Sequence, residues 1–581
     1  MRKVLLFAVL LLCSTALPAL LFAQFTVSGT VTDATKNPVS GASVRLRNST
    51  LGTATDAAGK FSLNLPANSG VLEITSVGYR SVTVNVSNNN ASVTVTLQED
   101  VAKLEEVVVT GFSTTVKRRN LANAVATISS RELAGVAPAQ TFDAALNGKI
   151  PGAYINANSG APGGGISVKL RGVTSVYGNT QPLYVIDGVY IDNTSTPANL
   201  NAVTAAAAAG NAANQDNPSS RIADIRPEDI ENIEILKGAS AAAIYGSKAA
   251  AGVIIITTKK GRSGKTSVSL SQDIGFVKVR KLLGPREFTA ETAANLGGSP
   301  TSTDPEVIAA REAVKQQFLD AQAAGKIYDY EKELYGNNGF TRNSVLSMTG
   351  GSDRTTFYFS AGQKVEDGII ERTGYRNNSI RLNLDHRLND NIKIGISTNY
   401  LNTSADRGLT QNDNAGVTFG IALSSTPGFA ELHPDANGNY PDNPFAASNP
   451  IQTRDLMTNN ESVNRIITGV NIEATLQKSD KSFTRAIARG GIDFYSLKTT
   501  ALFPSALQFQ EVQKGTSIQG FTKNLNTNYI VSLVNTFTPS ENFSLTTSGG
   551  YTQENGDYDN MLDLATQVIA GQSNVDQAGA L

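Results

Sequence analysis

Ile380-Arg381-Leu382-Asn383-Leu384-Asp385 and Ile392-Lys393-Ile394-Gly395-Ile396-Ser397 decide the fold of this chain. In both, every second residue is aliphatic and most residues between are polar or charged, the period of a strand with one apolar and one polar face. Alternation alone does not separate a soluble sandwich from a membrane barrel. The connections do. Nine strands are expected, at 266–276, 344–349, 355–363, 376–385, 391–401, 464–477, 483–496, 526–538 and 543–553. Long and short connections alternate between them, the short ones at Gly350-Gly351-Ser352-Asp353, His386–Asn391, Lys478–Ser482 and Pro539–Asn542. Outer-membrane barrels show this alternation, with short periplasmic turns and longer external loops. Val268, Leu270, Leu382, Leu384, Ile394, Ile396, Val470, Ile472, Leu533 and Leu545 are then expected to face lipid. Arg381, Asn383, Lys393, Glu473, Arg485 and Arg489 face the lumen, solvating it and pairing with whatever fills it.

Upstream, Leu121–Gly261 reads as mixed α/β with glycine clusters. Phe142–Leu146 is expected as a short helix and Gly238–Tyr245 as a helical turn. Strands are expected at Ile166–Leu170, Leu183–Ile186, Val189–Ile191, Ile230–Leu236 and Gly252–Thr258. Asp187-Gly188 between two apolar runs is a hairpin turn signal, and the Ala- and Asn-rich stretch from Thr194 to Asn217 is expected as a loop. Nucleotide and catalytic patterns fail here. Gly264-Lys265-Thr266 ends like a phosphate loop, but Lys259 stands where its first glycine belongs. Val168 takes the third glycine of a dinucleotide fingerprint at Gly163-Gly164-Gly165, and Gly238-Ala239-Ser240 lacks the closing glycine of a nucleophile elbow. The histidines are only His386 and His433, and Asp435, Asn437 and Asn439 lack the rest of a calcium loop. No catalytic residue, metal site or cofactor is expected.

The chain opens with Arg2-Lys3 before an apolar run to Ala23, a signal peptide with cleavage expected after Ala23. Its one cysteine, Cys13, lies in that run, so the exported protein needs no disulfide. Phe25–Gln98 then alternates in short runs at 27–31, 42–46, 61–65, 71–74 and 82–86, spaced for a small antiparallel sandwich. Gly29-Thr30-Val31-Thr32-Asp33, Gly52-Thr53-Ala54-Thr55-Asp56, Gly59-Lys60-Phe61 and Gly78-Tyr79 resemble the carboxypeptidase regulatory-like β-sandwich, which implies a structural module without peptidase activity. Composition agrees: 581 residues hold several domains, 49 basic against 50 acidic residues leave a net charge of −1, and 51 glycines suit many turns. Nucleic acid is excluded as an expected partner.

Between sandwich and middle region lies Glu105-Glu106-Val107-Val108-Val109-Thr110-Gly111-Phe112. Taken alone the valine run reads as a buried strand. Its acidic lead-in and its place in a connector point to an extended peptide offered to a partner, which could add a strand to an exposed sheet edge.

These residues, with Leu170-Arg171-Gly172-Val173, Pro182–Val189, Ile230–Ser247 and Gly252–Gly261, resemble the SusC/RagA family of TonB-linked outer-membrane transporters. The resemblance implies a mainly β chain: signal peptide 1–23, regulatory-like sandwich 24–98, linker with TonB box 99–120, α/β plug 121–261 and a partial antiparallel β-barrel 262–581. It implies that Glu106, Val107, Val108, Val109, Thr110, Gly111 and Phe112 engage periplasmic TonB of the TonB-ExbB-ExbD complex. It also implies that a SusD-like lipoprotein partners the barrel among outer-membrane lipids, and that an oligosaccharide or peptide is imported rather than transformed. Arg171 is expected to brace plug to wall and Asp187 and Gly188 to make a plug turn, with Arg171, Gly172, Asp187 and Gly188 together a plug motif that is structural or substrate-facing. Such plugs sit in barrels of roughly 22 strands, and nine is odd, so an N-terminal fragment unable to transport by itself is expected. A TonB-dependent siderophore receptor and a non-transporting surface binding or adhesion protein are the alternatives.

Overall fold

The computed structural model describes residues 25–33, 36–47, 49, 51–66, 69–76, 79, 81–87, 92–98, 107–110, 114–117, 125–130, 132, 145–157, 160–173, 180–193, 220–237, 245–410, 415–540, 543–569, 571–572 and 575–579. The signal segment, the 194–217 loop, and Glu106, Gly111 and Phe112 lie outside them, as do most of the expected helix at 142–146 and helical turn at 238–245. The chain forms two compact units, divided within the strand pair Val107–Thr110 and Thr114–Lys117.

The first unit has seven strands: β1 (Phe25–Asp33), β2 (Ser43–Leu46), β3 (Gly52–Ala54), β4 (Lys60–Leu65), β5 (Ser69–Thr75), β6 (Val82–Ser87) and β7 (Ser92–Leu97). They form two sheets, β4-β1-β7 and β3-β2-β5-β6. Alternation puts Val27, Val31, Val44, Phe61, Leu63, Leu65, Leu72, Ile74, Val95 and Leu97 in one buried cluster. The expectation of a wholly antiparallel sandwich is corrected, because β7 runs parallel to β1. The chain leaves β6 in one sheet and enters β7 in the other, so no tight hairpin dictates the direction. At Gly29 the two strands touch so closely that a Cβ would lie 2.3 Å from the Val93 carbonyl oxygen.

β8 (Val107–Thr110) and β9 (Thr114–Lys117) follow as a two-stranded sheet. The plug region then contributes β10 (Val125–Ser129), β11 (Ala153–Ala157), β12 (Ile166–Leu170), β13 (Leu183–Ile186), β14 (Val189–Ile191), β15 (Ile230–Leu236) and β16 (Val253–Thr258). Five of them form one sheet in the order β10-β15-β16-β13-β14, while β11 and β12 pair separately. Central β16 lies between a parallel and an antiparallel neighbour, and its Val253-Ile254-Ile255-Ile256 is buried throughout, which is why the run is continuous rather than alternating. Asp187 and Gly188, at φ 49° and 90°, make the left-handed pair that a two-residue turn between β13 and β14 requires.

The wall is a nine-stranded antiparallel meander in sequence order: β17 (Gly264–Val277), β18 (Gly339–Gly351), β19 (Thr355–Asp367), β20 (Gly374–Arg387), β21 (Ile392–Asp406), β22 (Thr458–Lys478), β23 (Ser482–Phe503), β24 (Thr516–Ser540) and β25 (Phe543–Thr566). All nine expected strands are present and every one is longer than expected. β24 has 25 residues, where about 9–11 tilted residues cross a bilayer. Some of the additions, such as Thr458-Asn459-Asn460-Glu461, are polar on both faces and carry no hydrophobic period, yet they continue the backbone ladder.

Short turns at 352–354, 388–391 and 479–481 mark one end of the wall; 278–338, 368–373, 407–457 and 504–515 mark the other. On the outer face Ile380, Leu382, Ile396, Val470, Ile472, Leu533 and Leu545 are exposed side by side, an apolar surface too large for water to cover cheaply. Leu384 and Ile394 share that face and are half-buried. The inner face instead packs on the plug, whose core cluster takes in Leu401 and Ile467 from the wall.

Candidate functional site

Around the apolar contacts of Leu401 and Ile467, the inner seam between plug and wall is rich in charges and amides. Plug strand β14 is a sheet edge whose N–H groups would be orphaned. Wall side chains satisfy them: Tyr190 N–H donates to Asn528 Oδ1 (3.1 Å) and Asp192 N–H to Asp493 Oδ2 (2.9 Å), while Asn528 Nδ2 donates back to the Gly188 carbonyl (3.0 Å). The wall leaves room for this edge with glycines. A Cβ on Gly491 or on Gly469 would come within 3.0 Å of the Val189 side chain.

Arg465 of β22 is the centre of the larger cluster and is 1% exposed. Its Nε and Nη2 each donate to Asp493 at 2.7 Å, the bidentate fork that suits guanidinium and carboxylate. Nη1 donates to the Arg221 carbonyl at 2.6 Å and Nη2 to the Asp192 carbonyl at 3.1 Å. Asp224 lies 3.8 Å from Arg465 and 3.5 Å from the Arg221 guanidinium, which also pairs with Glu461. The Asp192 carboxylate accepts from Tyr495 Oη (2.9 Å) and Asn524 Nδ2 (2.5 Å). Three guanidinium or carboxylate partners from the wall and three from the plug are thus interleaved.

A second cluster surrounds the Asp187 turn. Its carboxylate accepts from Thr258 N (3.0 Å), Thr258 Oγ1 (2.6 Å) and Ser397 Oγ (2.9 Å), and lies 3.7 Å from Arg381. Arg381 also faces Asp229 at 3.5 Å, and Asp229 accepts from Ser360 Oγ at 2.6 Å. Asn383 donates to Thr258 Oγ1 and to the Lys259 carbonyl, both at 2.7 Å. A third contact joins Arg226 to Asn343 at 2.5 Å and Asn343 to Glu228 at 2.7 Å. Gly163, at φ 63°, presses against the Tyr375 ring, which a Cβ would meet at 2.2 Å.

Among residues expected in the lumen, Arg381 and Asn383 reach the plug, Arg489 packs beside Gly188, and Glu473 and Arg485 pair with each other at 3.0 Å. Lys393 stays exposed. Against the nine described wall strands, Arg171 does not take the bracing role expected of it. With Gly172 it forms a left-handed turn at φ 60° and 94° that ends β12, and both residues are exposed, with no side-chain bond from Arg171 to the wall among the described residues. Arg221 and Arg226 brace the wall instead. They stand in Arg221-Ile222-Ala223-Asp224-Ile225-Arg226, a charged and apolar mixture whose density of buried charge is a signal only once burial is known. Of the box, Val107–Thr110 is a strand paired with Thr114–Lys117; Glu106, Gly111 and Phe112 are outside the described residues.

Asp187→Ala in the full-length protein removes the acceptor of three hydrogen bonds and one of two carboxylates facing Arg381. A loss of about 3 kcal/mol is expected. It is read as a lower urea midpoint for loss of amide protection in β13–β16, with the wall strands unaffected.

Residues 27–109 match the CarboxypepD_reg-like domain and 117–253 the TonB-dependent Receptor Plug Domain. The TonB-dependent receptor SusC of Bacteroides thetaiotaomicron is 30% identical over 78% of this chain and 42% of its own length; the TonB-dependent receptor P26 of Formosa agariphila is 32% identical over 74% and 39%. The chain therefore spans about two-fifths of the length of the curated relatives it matches. The RagAB peptide importer in its open-open state superposes with a TM-score of 0.59 at 19% identity, covering 82% of this chain and 52% of the other, a likeness of fold. With regulatory-like domain, plug and part of a β-barrel in that order, the chain belongs to the SusC/RagA family of TonB-dependent receptors.

Proposed function

We propose that the protein to which this chain belongs imports a nutrient across the outer membrane, with TonB pulling on Glu106–Phe112 to displace the plug. The polar seam between plug and wall carries this reading. An apolar seam would resist separation by its whole hydrophobic term, whereas paired charges and amides such as Arg465–Asp493 and Tyr190–Asn528 can rehydrate once parted. A wall sealed by such contacts holds firmly at rest and can be released by force. The sandwich is then periplasmic, the lipid-facing strands lie in the outer membrane, and the work is transport rather than catalysis.

The cargo class we favour is an oligosaccharide or peptide, received through a SusD-like lipoprotein at the external loops. Support comes from family membership and from the likeness of fold to a protein described as a peptide importer. Fractionation of cells expressing the full-length protein tests the proposal. A heat-modifiable band is expected in the outer-membrane fraction, and uptake of labelled peptide or oligosaccharide is expected to fall to background in a strain lacking TonB. A protein found only in the periplasm, or uptake indifferent to TonB, overturns it.

A further inference from the structure

Loops 278–338 and 407–457, at the wall end opposite the short turns, are folded onto each other rather than splayed. Phe288, Phe318 and Phe445 meet Phe429 edge-on at 5.3–5.9 Å between ring centres. Tyr330 and Leu334 of the first loop share a buried cluster with Leu432 and Ile451 of the second. Tyr330 Oη donates to the Ala430 carbonyl at 2.5 Å and accepts from the Leu432 N–H at 3.1 Å.

At the margin of this contact stands His433, about a third exposed. Nδ1 lies 2.7 Å from Glu431 Oε1, while Nε2 lies 3.0 and 3.1 Å from the two oxygens of Glu333 in the other loop. Ionised carboxylates only accept, and a neutral imidazole carries a single N–H. Both contacts can be hydrogen bonds together only when the ring is the doubly protonated imidazolium. Tyr328 Oη donates to Glu431 Oε2 at 2.6 Å and Lys326 stands 3.5 Å from it, so Glu431 is already satisfied as an anion. The Tyr328 ring packs against the imidazole at 4.6 Å between centres, and the Tyr330 ring at 5.7 Å. From the remaining side, Arg454 Nη1 donates to the Glu333 carbonyl at 3.3 Å.

We propose that His433 is a protonation-dependent clasp: as imidazolium it bonds Glu431 of its own loop and Glu333 of loop 278–338 at once, and on deprotonation it loses its charge and one of the two bonds, which weakens the tie between the loops. Placement of the clasp on the outer side rests on the transport reading; the clasp itself does not. The surrounding groups keep their charge state across its range. Partial burial raises the Glu431 carboxyl, but the bonds from Tyr328 and His433 outweigh this and bring it down to about 2. The bond to Glu431 pushes the Tyr328 hydroxyl up to about 12, so it stays a donor. Partial burial disfavours the imidazolium, and the bonds to Glu431 and Glu333 overcome that, raising His433 above its ordinary 6.5. A raised folded-state pKa contributes stability that is fully present below about 6.5 and lost as pH rises through the folded value. Acid therefore closes the clasp and alkali loosens it.

The test is hydrogen–deuterium exchange on the detergent-solubilised full-length protein across pH 6 to 9, corrected for intrinsic exchange. Protection of peptides covering 328–335 and 428–436 is expected to fall severalfold along a single-proton curve whose midpoint lies above 6.5, with β17–β25 unchanged. In His433→Gln the pH step is expected to vanish, with protection at the alkaline level throughout. In Glu333→Gln the step survives with its midpoint shifted towards 6.5, an outcome that loss of packing alone does not produce. Protection that is flat with pH in the parent protein, or a step of the same midpoint in His433→Gln, overturns the proposal. Because exchange is read without TonB or substrate, its failure is distinct from failure of the transport reading.

Discussion

Val108→Pro in the full-length protein is expected to reduce uptake to the level of a strain without TonB, while the protein still reaches the outer membrane and retains its heat-modifiable mobility. A peptide captured by strand addition is held by main-chain bonds, and proline removes one N–H and fixes φ in the middle of the run. The structure sharpens this expectation. Val107–Thr110 is not a loose tail: its strand is paired with Thr114–Lys117 inside the chain. That pairing takes one edge of Val107–Thr110 and leaves its other edge without a partner among the described strands, so Val108→Pro is expected to weaken the resting hairpin as well as any captured state. Thr115→Pro separates the two effects, since it disrupts the hairpin from the other strand and leaves Glu106–Phe112 intact. Uptake is expected to persist in Thr115→Pro. Equal loss in both variants would assign the defect to the hairpin, and unchanged uptake in Val108→Pro would remove the handle role altogether.

Replacing Arg465 by methionine is expected to cost about 3–5 kcal/mol in the seating of the plug. The guanidinium sits fully desolvated between Asp493, Asp224 and two plug carbonyls. Methionine fills most of the volume but leaves the Asp493 carboxylate, itself 0% exposed, without its counter-ion. The loss therefore comes less from the missing attraction than from an uncompensated buried charge. The double change Arg465→Met with Asp493→Leu is expected to recover much of the deficit, because a buried pair replaced by apolar groups is often close to neutral, and Asp224 keeps Arg221. Urea titration of plug protection in the full-length protein reads both. A single variant within about 1 kcal/mol of the parent would mean that water or a shifted cation already serves Asp493, and the seam would not be the tight latch described.

The two variants probe different levels of legibility. Asp187-Gly188 could be read as a turn because only a left-handed pair fits a two-residue hairpin of that twist, and the observed φ values of 49° and 90° are that pair. That the same carboxylate also receives Thr258, Ser397 and Arg381 could not be read, because those partners come from three other segments. Arg381 and Arg171 illustrate the limit from both sides. Each is an arginine beside aliphatic residues in a strand or at its end, yet one is 1% exposed inside the seam and the other stands in solvent. Alternation with Ile380, Leu382 and Leu384 turns Arg381 inward, but nothing local names its partners Asp187 and Asp229.

Order along the chain, the nine wall strands, their inward and outward faces and the sense of each connection were determined by the sequence itself, since alternation and turn chemistry act between near neighbours. The length of the wall strands, the parallel seat of β7 beside β1, and the choice of Arg221, Arg226 and Arg465 as charges that join plug to wall were decided only by the tertiary structure. The physical reason is that backbone ladders continue through polar residues that carry no period, and that a buried charge is stable only where the folded chain brings its counter-charge. Arg221 and Glu461 are separated by 240 positions and meet in one ion pair; no local pattern specifies such a meeting, and packing does.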